Sequence, residues 1–331
     1  MTKIWRINKM QIGQMTERSV TSLSLAKFGK INLPRKSQEQ RAALASELRH
    51  EIAPAMRQRF ATQRTMQTDL HVHPSRNNSS FSPSEIFSRA SSSGVGTLVL
   101  ANNQVRNVFA DMRQATKFDI DLTFGAVMLP FRLKKDLEIQ TKVYYNPFDS
   151  KIADLVADHR QHKNEIMCGA AIERTLQRFS KRGCWIVLSY PGKLLSYGLD
   201  TDSFLDGLKE LSKKELLHGL ETHHSGHTLW QRNFFTQAAF KASLWEDGGS
   251  DFPGFHVGDF VDLGTGMWNV DLPYNIVEEV RRFLTAPLLA KADDYARNGQ
   301  SNKAFHQLWK ALMINPYDFS AYKRAARILE N

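Results

Sequence analysis

The chain has 331 residues, of which 42% are hydrophobic, and a formal net charge of +10. That length supports one large domain with extensions or two domains, and the hydrophobic fraction excludes wholesale disorder. No run approaches the roughly 18 consecutive apolar residues needed to cross a bilayer, so no membrane span is expected.

Charge divides the chain unevenly. Residues 1–66 carry thirteen Lys/Arg and four Asp/Glu, whereas the remainder carries 31 and 30. A basic arm favours polyanions, which points to nucleic acid or another phosphate-containing ligand; the plainer alternative is a solvated extension that binds nothing. Residues 1–36 share the low acid content and Ser/Thr-rich composition of organellar transit peptides, but arginine is not dominant and no apolar h-region marks a secretory signal. Two cysteines, Cys168 and Cys184, make neither a disulfide framework nor a zinc knuckle. They read as reduced core residues, in keeping with a cytoplasmic protein.

Within the arm, Ser37 to Gln63 reads as a helix with Ser37 as its N-cap and Pro54 as a kink or division. From residue 67 to about 280, apolar runs alternate with helical stretches. The runs are Thr97–Ala101, Leu122–Leu129, Cys184–Tyr190, Gly219–Thr222 and Ala242–Trp245; Ser82–Ser92, Lys151–His162 and Thr201–Lys214 are among the helices. Such alternation implies a mainly parallel sheet or barrel with helices outside, and catalytic groups at the C-terminal ends of the strands. Residues 292–300 read as a helix closed by Asn298-Gly299, followed by helices over Lys303–Ile314 and Ala321–Leu329. This tail resembles a single tetratricopeptide-type unit, which cannot bury its own face and would pack on the main domain or on a protein partner. The expected division is therefore 1–66, 67–285 and 286–331.

The chemistry centres on Asp69-Leu70-His71-Val72-His73. On an extended chain His71 and His73 lie on one side, because side chains alternate with period two, and so can offer two nitrogens to one metal. Further segments follow in order: Ser82-Pro83-Ser84-Glu85, Thr97 to Gln104, Gly125-Ala126-Val127, Ser189-Tyr190-Pro191-Gly192, Glu221 to Thr228, and Gly249-Ser250-Asp251-Phe252-Pro253-Gly254. Together, over about residues 67–260, they resemble the PHP (polymerase and histidinol phosphatase) family.

The resemblance implies an α/β, PHP-type distorted (β/α)7 barrel and a metal-dependent hydrolase of phosphate esters. Enzymes of that family use up to three zinc, manganese or iron ions. His71, His73 and Asp251 match its ligand positions. Asn78, Asn103, Val127, Tyr190 and Pro253 stand where the family has ligands. Val and Pro offer no donor, Asn is neutral, and Tyr ligates only as phenolate. The expectation is thus at most one divalent ion, on His71, His73 and Asp251, with His256 as a further candidate ligand. His223, His224, His227, Asn103 and Tyr190 are the candidate substrate-binding residues. Glu221 reads as a structural polar partner, and Arg106 as a possible phosphate holder. Two functional classes follow: a divergent metal-dependent phosphoesterase, or a catalytically silent PHP-like scaffold that binds a ligand or protein partner. The amidohydrolase group, which also opens with His-x-His and ends with Asp, is a third and weaker match.

Overall fold

The computed structural model describes residues 28–76, 79–122, 124–162, 164–252, 272 and 274–330. Ser37 and Gln40 close a capping box in front of helix α1 (Gln38–Glu47). A π-helical turn, Leu48–Ile52, joins it to α2 (Ala53–Gln63). Pro54, the second residue of α2, has no N–H to give to the preceding turn. The expected division therefore takes the form of a widened turn, not a break.

Seven strands lie side by side in chain order: β1 (Gln67–Val72), β2 (Val95–Asn102), β3 (Gly125–Lys134), β4 (Leu137–Tyr145), β5 (Trp185–Ser189), β6 (Gly219–His224) and β7 (Trp245–Gly249). Neighbours are parallel except around β4, which is antiparallel to both β3 and β5. The sheet closes on itself just past β7. There Asp251 N–H donates to His71 O and His73 N–H donates to Phe252 O, both at 2.9 Å. The result is a distorted barrel in which the other six strands run in one direction, so their C-terminal ends share one rim.

Two strands depart from the sequence expectation. β4 escapes detection as an apolar run because Lys142 and Tyr144 take its inward positions. The run Ala242–Trp245 is mostly a turn out of the preceding helix: Ser243 has φ 55° and Leu244 N–H bonds Ala239 O. β7 proper is Trp-Glu-Asp-Gly-Gly, and its polar Asp247 faces the interior.

Outside the barrel lie α3 (Pro83–Ser92), α4 (Val108–Ala115), α5 (Lys151–Gln161), α6 (Gly169–Ser180), α7 (Gly192–Ser196), α8 (Thr201–Lys213) and α9 (Leu229–Lys241). Leu98, Val127, Leu129, Val143, Ile186 and Leu220 face them, against Phe87, Ile152, Phe179 and Phe235. The other sheet face buries Leu70, Val99, Ala126, Met128, Tyr144 and Val187 against Ile276, Val280 and Leu284 of α10 (Asn275–Arg297). Burying each such side chain contributes about 1.5–3 kcal/mol.

The chain continues into α11 (Ser301–Ile314) and α12 (Phe319–Glu330), turning at Gly299 with φ +67°. Helices of the arm and tail share one apolar core: Leu48, Ile52 and Met56 join Phe305, Leu308 and Leu329. Arg281, fully buried on α10, pins this assembly through Asp121 at 2.7 Å and Tyr274 at 2.7 Å. Cys184 is in the core as expected, but Cys168 is exposed, because it precedes α6 at the surface. Among the described residues, no helix is long and apolar enough to cross a membrane.

Candidate metal centre

The C-terminal end of β1 meets the segment after β7 at a glycine. A Cβ on Gly249 would lie 2.4 Å from both Cβ and N of His71, so only glycine permits this approach. Asp69 Oδ1 accepts N–H bonds from Ser250 at 3.0 Å and His71 at 3.2 Å, which holds the two segments together. Asp251 follows with φ 58°, and Tyr190, just past β5, has φ 52°. Non-glycine residues rarely adopt this left-handed region; they persist where surrounding contacts impose it.

His71 is fully buried, and its Nδ1 lies 2.5 Å from Glu221 Oε1. Glu221 also accepts Tyr190 N–H at 3.0 Å and faces Lys142 Nζ at 3.5 Å. Burial pushes the Glu221 carboxyl up, but His71, Lys142 and His224 outweigh it and hold the group well below the usual carboxylate range. An ionised carboxylate only accepts, so Nδ1 of His71 carries the proton and Nε2 presents a lone pair. Burial pushes His71 down to about 4, so the ring is neutral near pH 7.

That lone pair points to a cluster. His71 Nε2 is 3.0 Å from His73 Nε2 and 3.8 Å from Asp251 Oδ1, and His73 Nε2 is 3.2 Å from the same oxygen. The three atoms lie on a circle of radius about 2.0 Å, close to the Zn–N and Zn–O bond lengths of about 2.0–2.2 Å. Burial raises the Asp251 carboxyl, but a hydrogen bond from His73 and the nearby rings of His71 and His224 reverse this and hold it ionised. With the His73 proton shifted from Nε2 to Nδ1, two imidazole lone pairs and one carboxylate would suit a divalent cation with an open position.

His224 has a different role. Its Nδ1 accepts Gly226 N–H at 2.9 Å, which leaves the proton on Nε2. Nε2 lies 3.8 Å from Asp251 Oδ2, buried and without a hydrogen-bond partner among the described residues. Although His71, Glu221 and His224 also lie close enough to share an ion, Glu221 is committed to His71 and the protonated Nε2 cannot ligate. The ring of Tyr190 stands 5.3 Å from that of His71 and 4.4 Å from that of His224.

The remaining predicted residues lie further out. His227 donates Nδ1–H to Thr222 O at 3.1 Å, and burial pushes the ring down to about 4. His223 pairs with Glu246 at 3.2 Å, beside Thr236 of α9, and not with Asp251. Asn103 is exposed after β2, its N–H held by Asn102 Oδ1. Arg106 is engaged bidentately by Asp111 at 2.8 and 3.0 Å. His256, Asn78 and Pro253 lie outside the described residues. Val127 packs in the outer apolar layer, and β3 turns Ala126 and Met128 inward, neither of them a donor.

Sequence reasoning missed Lys142 and Asp247. Lys142 Nζ is buried, 3.1 Å from Leu70 O and 3.2 Å from Asp247 Oδ1, and Tyr144 OH donates to Asp247 Oδ2 at 2.8 Å. The only local signal is a lysine within the strand-like Thr141-Lys142-Val143-Tyr144; its partners come from β1, β6 and β7.

No protein-family model matches the sequence, and no curated protein matches it. Solved structures do match in fold. An amidohydrolase from Chromobacterium violaceum, solved with bound sulfate and no metal, aligns over 66% of this chain and 96% of its own at 14% identity, with a TM-score of 0.51. A candidate metal-dependent phosphoesterase from Bifidobacterium adolescentis aligns over the same shares at 14% identity, with a TM-score of 0.48. A two-domain Bacteroides vulgatus protein containing a predicted PHP-like metal-dependent phosphoesterase aligns over 56% of this chain and 51% of its own at 14% identity, with a TM-score of 0.39. At such identity the likeness concerns the fold alone. The chain has a distorted seven-stranded α/β barrel, the architecture that the motifs of its sequence lead one to expect.

Proposed function

We propose that this chain is a metal-dependent hydrolase of phosphate esters that works with one divalent ion, zinc, manganese or iron, on His71, His73 and Asp251. The observation that carries this reading is the convergence of two imidazole nitrogens and one carboxylate oxygen, all within 3.8 Å, at the rim where barrel chemistry collects. Such an ion, when bound, polarises a phosphoryl oxygen and makes water a better nucleophile.

The chain's own residues do the rest. Glu221 keeps the lone pair of His71 turned inward. His224 Nε2–H, unpartnered among the described residues and beside Asp251, suits donation to a phosphoryl oxygen. Tyr190 walls the space between His71 and His224. A small phosphorylated molecule is the substrate class the enclosed cluster favours; a nucleic acid would also engage the basic arm.

One observation favours the silent-scaffold reading. Lys142 already places a cation between Glu221 and Asp247, so part of the buried negative charge is offset without an ion. The two readings separate in an assay of p-nitrophenyl phosphate and bis(p-nitrophenyl) phosphate with zinc, manganese and iron(II). The hydrolase reading expects turnover that falls at least a hundredfold in His71→Ala. Absence of turnover with every metal would leave the scaffold.

A further inference from the structure

A second site lies among the helices outside the barrel. A cleft of about 410 Å³ opens between the π turn with α2 and the final helix α12. That is the size of a small-molecule pocket, about 300–1,000 Å³. None of its lining residues belongs to the His71 cluster.

Four cations surround it. Arg49 sits in the π turn and Arg57 on α2; Lys323 and Arg327 lie one turn apart on α12. The buried face of α12, which includes Ala325, Ala326 and Leu329, packs on the core, and Lys323 and Arg327 are exposed. Phe319 and Tyr322 provide an aromatic floor.

Counter-charge is scarce there. Arg49 forms a two-pronged pair with Glu330, with Nη2 at 2.6 Å from Oε2. Arg57 lies over the Phe319 ring at 4.9 Å. Among the described residues, Lys323 and Arg327 have no carboxylate partner. With Arg49 neutralised by Glu330, the remaining cations Arg57, Lys323 and Arg327 around one concavity raise the local potential and favour an anionic ligand. π turns, moreover, are frequent at functional sites, and this one carries Arg49 to the cleft.

We infer that this cleft binds a small organic phosphate carrying a planar ring, of the mononucleotide class. Arg57, Lys323 and Arg327 would take the phosphate, since Arg supplies paired N–H donors and Lys a compact charge. Phe319, the half-buried ring of the two, would meet the planar group, while Tyr322 is buried with its hydroxyl bonded to Pro316 O. The short extent of the cleft favours a small ligand over an extended nucleic acid, which would track a longer charged surface. The inference stands apart from the metal-centre reading.

The test is calorimetric titration of the full chain with ADP, inorganic phosphate, adenosine and a 20-nucleotide single-stranded DNA. The expected result is one ADP per chain, with adenosine much weaker. Lys323→Glu and Arg57→Glu should each weaken ADP at least tenfold while keeping the far-ultraviolet spectrum and Tm. Lys323→Arg should restore binding, and His71→Ala should leave it within twofold. No saturable ADP binding would overturn the assignment, as would loss of binding in His71→Ala but not in Lys323→Glu. Tight, salt-sensitive DNA binding without ADP binding would also overturn it, in favour of an extended polyanion surface.

Discussion

His71 and Glu221 meet through Nδ1 and Oε1 at 2.5 Å, both side chains shut off from solvent. This contact turns His71 from a generic buried histidine into one with a lone pair directed at His73 and Asp251. Glu221→Gln would remove the charge that stabilises this tautomer and would set an amide against Lys142. Partners of this kind typically contribute 10–100-fold to metal affinity. We expect zinc affinity, measured by competition with a chromophoric chelator, to fall by about that factor. An unchanged affinity would show that the contact is structural only.

Lys142 bridges Glu221 and Asp247 inside the barrel at 3.5 and 3.2 Å. Lys142→Met would leave two buried carboxylates near each other without a cation. Removing one member of a buried ionic group typically costs about 3–5 kcal/mol. Urea unfolding should register a loss of that order, and Lys142→Met with Asp247→Asn should lose less than the sum of the two single variants. Additive losses would mean that the two residues do not act as a unit.

Much of this organisation was readable in the residues. The His71-x-His73 spacing and the Ser37 N-cap depend on near neighbours, and so do the apolar strands β2, β5 and β6. β4 and β7 were obscured because their inward positions hold Lys142, Tyr144 and Asp247, whose burial is tolerable only once distant partners arrive. The partnership of His71 with Glu221 spans 150 residues and has no local signature. Likewise, the expectation that His223, His224 and His227 act together misses the irregular register between Glu221 and His223, which turns His223 to Glu246.

Gly249 lets β7 approach β1, and a methyl group there would meet His71 at 2.4 Å. Gly249→Ala should therefore cost about 1–3 kcal/mol as overpacking and displace His71 from Asp251. A lowered Tm together with weakened metal binding checks this; a variant equal to the parent in both would contradict the closure described.

Acid should destabilise the protein well above the range of ordinary carboxylates. Burial lowers both His227 and His218 to about 4, from 6.5 in the unfolded chain. Between these values the unfolded chain binds more protons than the folded one, so stability rises with pH. The contribution is complete above about pH 6.5 and is lost as pH falls toward 4. Urea midpoints at pH 7 and pH 4.5 should differ accordingly, and His227→Gln and His218→Gln should each flatten the dependence. A profile unaffected by both substitutions would assign the acid sensitivity to other groups.

The most direct test of the single-ion centre is metal stoichiometry. Purified chain, loaded with zinc and desalted, should retain one ion per molecule by elemental analysis. His71→Ala/His73→Ala, folded by circular dichroism, should retain less than a tenth of that. A parent chain that retains no ion, or a double variant that retains as much as the parent, would contradict the assignment of His71, His73 and Asp251 as its ligands.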